Sequence, residues 1–326
     1  MTGIDPSAGT AAAALPSFEV RIDRPDLDPW RAGNTGIPGF TSIAADAAGP
    51  HVLLLSLMHG NEFTGAIVLD RMLRARLRPL RGRLTIGFVN LAAFDAFDPA
   101  NPTASRYIDE DLNRLWDPAL LASARQSIEL DRARAIRAAV DAADVVLDLH
   151  SMLWPSDPLI LCGAAPRGRA LAEAVGHPGL VVADRGHTSG ARLIDYPRFT
   201  ADGGMPRALL VEAGQHWDDT AVGMAAASVG GLLRHLGLLR GHPALPIPPP
   251  PGQHTAEVTM AITATTSSFA FVRAFRGGEV ISRRNTLIAL DGTTEIRTPH
   301  DDCLLVMPSL RPSRGHTAVR LARFVS

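Results

Sequence analysis

Hydrophobic residues in this chain come in short dense runs separated by stretches of helical periodicity. Residues 52–57 (VLLLSL) are apolar but for one serine and predict a buried strand, as do residues 84–89. Between them, residues 63–77 place apolar side chains at 63, 66, 67, 69, 73 and 77, the period of a helix. Residues 123–143, dense in Ala and Arg, predict a long helix. Strands follow at 145–149 and 159–162, a helix at 167–175, short strands at 180–183 and 208–211, and a closing helix at 220–239. This alternation predicts an α/β fold with a largely parallel sheet covered on both faces. Ahead of it, residues 17–43, rich in Pro, Gly and Asp, predict an irregular or edge-strand entry.

The pattern changes at residues 241–252 (GHPALPIPPPPG), a stiff polyproline-type connection that marks a domain boundary. We therefore expect an α/β domain over 1–240, a linker over 241–252, and a small all-β domain over 253–326. The last should carry strands at 255–266, 270–275, 279–281, 286–290, 303–307 and 319–324, with turns such as Asp291-Gly292.

Composition narrows the function classes. A length of 326 residues, 46% hydrophobic, is enough for a full α/β core, and a net charge of -1 offers no attraction for nucleic acid or an anionic membrane. All 32 basic residues are arginine, so Schiff-base chemistry, a Walker A lysine and lipoyl or biotinyl attachment are excluded. Two cysteines, Cys162 and Cys303, make no disulfide framework and fit a reducing compartment. Residues 1–15 are Ala-rich without the charged and apolar regions of a signal peptide, and no run of about 18 apolar residues occurs. A cytoplasmic protein is the expectation.

The chemistry gathers where apolar runs end. His59-Gly60-Asn61-Glu62 follows the first strand, and His150 closes the run 145–150. Two strand-end histidines and a glutamate three residues from one of them match the three-ligand set of an open catalytic zinc site. Asp148 shares a strand face with His150 and can orient it. By itself an H-x-x-E at a turn is a weak signal, more often two unrelated turn residues than a metal site. A polar loop, residues 105–114, carries Arg106 and Arg114, with Asp109 and Asp111 able to steady their guanidinium groups. Glu212, at the end of the apolar run 208–211, suits a general base whose pKa is raised by burial.

These four elements, in this order, resemble the succinylglutamate desuccinylase and aspartoacylase family of zinc carboxypeptidase-like hydrolases. Its H-G-[ND]-E, R-Y-I-D-x-D-L-N-R-x-[FW]-D, D-L-H and E-x-G motifs stand at 59–62, 106–117, 148–150 and 212–214. The resemblance implies one zinc ion held by His59, Glu62 and His150, with Glu212 as general base and then acid, and Arg106 polarising the substrate carbonyl. It implies that Asn113 and Arg114 bind a substrate carboxylate. Arg192 is the candidate for a second carboxylate, with Arg185, Arg198 and Arg207 as competitors. The implied activity is removal of an acyl group from a small N-acylated amino acid or related amine. The implied C-terminal segment is a hammerhead-like β domain that caps the site.

One departure concerns the tyrosine that aspartoacylases proper place in the C-terminal domain. Here the only tyrosines are Tyr107 and Tyr196, which argues against N-acetylaspartate as substrate. A metallocarboxypeptidase acting on peptides and a non-catalytic metal-binding protein share the ligand set and stay open, as does a homo-oligomer. His300-Asp301-Asp302-Cys303 reads as a β-turn despite its ligand chemistry, and residues 185–190 as a polar loop. No GxSxG, GxGxxG or CxxC occurs, so serine hydrolase, dinucleotide and redox readings fall away.

Overall fold

A computed structural model describes residues 18–187 and 189–325. The Ala-rich residues 1–15 and Thr188 of the 185–190 loop lie outside the described residues. Strands β1 (Phe40–Ala44) and β2 (His51–Ser56), helix α1 (Thr64–Arg74), strand β3 (Arg83–Phe88) and the short α2 (Leu91–Asp95) open the fold. Helices α3 (Pro118–Leu121) and α4 (Ile128–Ala142) lead to β4 (Val145–Met152) and β5 (Leu159–Leu161). Then come α5 (Pro166–Val175), β6 (Leu180–Ala183), α6 (Pro197–Thr200), β7 (Arg207–Gln215) and α7 (Asp219–His235). Past the Pro-rich connection lie β8 (His254–Thr263), β9 (Phe269–Phe271), β10 (Val280–Ile281), β11 (Leu287–Asp291), β12 (Thr294–Arg297), β13 (Cys303–Val306) and β14 (Thr317–Val325).

The large sheet has the order β1-β3-β2-β4-β7-β5-β6-β8-β14-β13-β10. Its centre, β3-β2-β4-β7, is parallel. Antiparallel β1 closes one edge, and β5 runs antiparallel to β7, so the sheet as a whole is mixed. The run 52–57 does not alternate because both faces of β2 are buried. Val52 and Leu54 belong to the core cluster that includes α1, whereas Leu53 and Leu55 belong to the cluster that includes α4, on the other face.

The C-terminal segment departs from an all-β unit standing apart. After the proline run, β8 pairs in parallel with β6, so that β8-β14-β13-β10 extend the central sheet. The open edge of β6 needs a hydrogen-bonded partner, and β8 supplies it. Among the described residues, β12-β11-β9 form a separate antiparallel sheet. Two boundaries also moved for physical reasons. Helix α4 starts at Ile128 because the Ser127 side chain accepts from the Leu130 N–H at 3.0 Å and caps it. Strand β7 continues through Glu212, which is registered with His150 on one side and Leu159 on the other. Among the described residues no helix is long and apolar enough to cross a membrane.

Candidate active site

The carboxyl ends of β2, β4 and β7 lie side by side, where parallel α/β sheets gather ligands. Beyond β2 the chain turns through Leu57 at φ +60°, a left-handed conformation that costs a branched side chain about 1–3 kcal/mol. Asn90 N–H donates to the Leu57 carbonyl at 2.7 Å and holds the turn. Gly60 then passes against α2 so closely that a Cβ would stand 2.2 Å from the Ala93 carbonyl carbon. Its N–H donates to the Arg106 carbonyl at 3.0 Å.

This turn brings His59 and Glu62 to His150, with all three buried and their donor atoms within 4.8 Å of one another. His59 Nδ1 lies 2.8 Å from Glu62 Oε1, and His150 Nδ1 lies 2.9 Å from Glu62 Oε2. Each outer Nε2 faces a carboxylate, Asp111 Oδ1 at 2.9 Å for His59 and Asp148 Oδ2 at 2.8 Å for His150. Carboxylates so placed orient imidazoles that ligate a metal. His150 thus sits between two acceptor-only groups. If its Nε2–H is committed to Asp148, the Nδ1 lone pair and the Glu62 carboxylate become mutually favourable only across a cation. Burial opposes the Glu62 charge, but His59 and His150 outweigh it and hold the carboxyl well below its usual range. Two nitrogens and a carboxylate oxygen this close fit a zinc ion that keeps one position open.

Glu212 stands beside His150 across the β4–β7 ladder, 6% exposed, and its Oε2 has no hydrogen-bond partner among the described residues. Burial pushes its carboxyl up to about 8, with His150 opposing and the Glu62 charge adding. After this pair the register shifts, His150 to Glu212 but Met152 to Gln215, so β7 carries one extra residue around Gly214. Such bulges re-aim side chains beside sites. Here His216 enters the wall, its Nδ1 2.7 Å from Ser151 Oγ and its Nε2 4.0 Å from Glu62 Oε1. Burial lowers its pKa to about 4. Sequence patterning gave no sign of His216.

Arg106 Nη1 donates to Glu62 Oε1 at 2.9 Å, and Nη2 donates to Asp111 Oδ2 at 3.3 Å. Asp111 therefore serves both His59 and an arginine, while Asp109 accepts from Ile128 N–H at the start of α4.

Residues 48–183 match the model for the succinylglutamate desuccinylase/aspartoacylase catalytic domain. Over that stretch the chain is similar to the catalytic domain of this family. The Burkholderia cenocepacia succinylglutamate desuccinylase is 27% identical over 316 residues, covering 86% of this chain and 83% of that protein. A probable aspartoacylase of Parasynechococcus marenigrum is 35% identical over 130 residues, 38% of this chain and 41% of that one. The succinylglutamate desuccinylase structure from Vibrio parahaemolyticus superposes with a TM-score of 0.66 at 16% identity, covering 89% of this chain and 87% of that chain. It shares the fold.

The arginine loop is clamped by a residue that the sequence did not single out. Glu129, fully buried on α4, accepts from the backbone N–H groups of Ile108, Asp109 and Glu110 at 2.7, 3.0 and 3.2 Å and from Asn90 Nδ2 at 3.0 Å. Its sequence setting is that of any acid in a first helical turn. Glu129→Gln presents an N–H pair to these donors and is expected to cost about 1–3 kcal/mol, read as a lower thermal midpoint with reduced turnover. Unchanged stability would contradict the clamp.

A cavity of about 580 Å³ opens over His59, Glu62 and His150, lined also by Arg106, Asn113, Arg114, Arg192, Glu212 and His216. The residues expected to bind substrate differ in availability. Asn113 Oδ1 accepts from Leu193 N–H at 2.9 Å, whereas its Nδ2 donates to none of the described residues. Arg114 bonds only its neighbour's carbonyl, Asn113 O at 2.7 Å, and stands 3.9 Å from Asp111. Burial, with repulsion from Arg106, Arg320 and Arg192, lowers it to about 10. Arg192 lines the cavity but is already engaged. It is 2% exposed and donates to Asp184 at 2.7 and 2.9 Å and to Asp195 at 2.7 and 2.9 Å, so its charge is already matched. Its competitors lie off the cavity: Arg185 is exposed, Arg198 bonds Ala143 O at 3.0 Å, and Arg207 is not among the lining residues. At His300, Nδ1 meets the Asp301 carbonyl at 2.9 Å within the segment, and Nε2 meets Thr259 Oγ1 of β8 at 2.9 Å.

Proposed function

We propose that this protein is a zinc-dependent amidohydrolase that removes the acyl group from a small N-acylated amino acid or related amine. The observation that carries the reading is one cavity holding a His59–Glu62–His150 triad and, beside it, a buried Glu212 carboxyl with an unbonded oxygen. The match of residues 48–183 to the family's catalytic domain supports it, as do the names of the relatives, a succinylglutamate desuccinylase and a probable aspartoacylase. His59, Glu62 and His150 hold the zinc, one ion per chain. When bound, zinc supplies a Lewis acid that acidifies water and polarises a carbonyl. Glu212 Oε2 takes the proton of the attacking water and returns it to the leaving nitrogen. Arg106, anchored through Glu62 and Asp111, presents its remaining N–H groups to the oxyanion that develops on the carbonyl. Arg114 and Asn113 Nδ2 hold the carboxylate of the amino acid. The same reading treats the core as zinc carboxypeptidase-like and residues 253–326 as a hammerhead-like cap after the 241–252 linker.

The test is a panel of N-acetyl and N-succinyl amino acids, with short peptides alongside, offered to the purified zinc-loaded protein and followed by release of free amine. Turnover of the N-acyl amino acids is the expected result. Cleavage of peptides alone would indicate a carboxypeptidase, and no turnover with zinc bound would defeat the hydrolase reading.

A further inference from the structure

One corner of the cavity carries more positive charge than its acids neutralise. Arg114, Arg192 and Arg320 meet there, together with His187. Asp184 and Asp195 are both engaged by Arg192, and Asp111 is shared between His59 and Arg106. With Arg114 assigned to the first carboxylate, Arg320 is the group left over. It comes from β14, where it is registered with Ala261 of β8 and Val306 of β13, so its backbone is fixed on both sides. It is 7% exposed. Among the described residues its guanidinium donates no hydrogen bond and makes one ion-pair contact, Nε to Asp184 Oδ2 at 3.5 Å. A guanidinium taken out of water without bonded acceptors is costly, and an anion entering the cavity removes that cost. His187 adds no competing charge. Burial and the three arginines push it down to about 3, and its Nε2 lies 3.0 Å from Thr317 Oγ1, tying the 185–190 loop to β14.

We propose that Arg320 is a specificity-determining residue that receives a second carboxylate of the substrate from the C-terminal strand, while Arg192 positions it by holding Asp184. This rests on the hydrolase reading above and deepens it. The fork of two Nη groups suits bidentate carboxylate recognition, and Nε stays toward Asp184. The C-terminal strands thus do more than narrow the entrance, and the absence of a tyrosine there leaves the anion to an arginine.

The second carboxylate can sit on the amine half or on the acyl half, and matched substrates separate the two. N-acetylglutamate is compared with N-acetylglutamine, and an N-succinyl amino acid with its N-butyryl counterpart. One of these ratios of kcat/KM should favour the acid in the wild type and fall by about ten- to a hundredfold in Arg320→Met, through KM, with part of the preference restored in Arg320→Lys. Both ratios unchanged in Arg320→Met would overturn the proposal. Asp184 keeps Arg192 as partner in either variant, so folding is not at stake. Calorimetric binding of glutarate to the zinc-loaded protein needs no turnover, and so separates failure of this subsite from failure of the hydrolase reading. At least tenfold weaker binding by Arg320→Met supports the subsite, and equal affinity sinks it.

Discussion

Replacing Glu212 by glutamine is expected to lower kcat/KM by about 10²–10⁴-fold while leaving the zinc content at one per chain. The substitution is nearly isosteric, and the side chain it replaces has an oxygen without a partner in a buried wall, so the fold should tolerate it. What is lost is the proton acceptor. The sign of the pH dependence follows from the same group. A base works only when deprotonated, so as pH falls through its pKa the rate should fall tenfold per unit. Burial raises this carboxyl from 4.5 to about 8, and a cation held by the three ligands favours the ionised form. The acidic limb of kcat/KM should therefore lie between those two values. Glu212→Gln should lack that limb. A variant within tenfold of the wild type, or one that keeps the limb, would assign the proton transfer elsewhere, with His216 the nearest alternative.

The convergence of His59, Glu62 and His150 was legible because each sits on or just after an apolar run, where the strand carries the side chain to the sheet's carboxyl edge. His59 and His150 inherit their places from β2 and β4, which pair directly. Asp148 was legible too, since residues two apart share a strand face. The remainder depends on pairings between distant segments, which periodicity does not encode. Arg192 and Arg320 look alike in the sequence, one in a polar loop and one in an alternating strand. Only packing shows that Asp184 and Asp195 claim the first and leave the second to the cavity. Glu129 is hidden in the same way, because its partners are backbone N–H groups 19 to 21 residues away. The joining of β8 to β6 was illegible since the proline run suggests separation while saying nothing about where the chain returns.

Removing the metal should abolish activity and lower the unfolding temperature together, because ligands that bind a cation only in the folded state couple the two. Zinc at about a thousandfold above its dissociation constant stabilises the folded chain by about 4 kcal/mol, a shift of several degrees that wild type should show on reloading after chelation. His150→Ala, which deletes a ligand, should show neither the shift nor the activity. Asp148→Asn offers a graded case. The buried Asp148 Oδ2 lies 2.8 Å from His150 Nε2, and loss of such a carboxylate partner weakens metal affinity by about 10–100-fold. That variant should recover activity at raised zinc, whereas His150→Ala should not. Metal analysis, thermal unfolding and turnover read on the same three samples distinguish a catalytic ion from a merely structural one. If exhaustive chelation left the rate and the melting temperature of the wild type unchanged, the convergence of His59, Glu62 and His150 would have to be explained as a proton-bridged polar core.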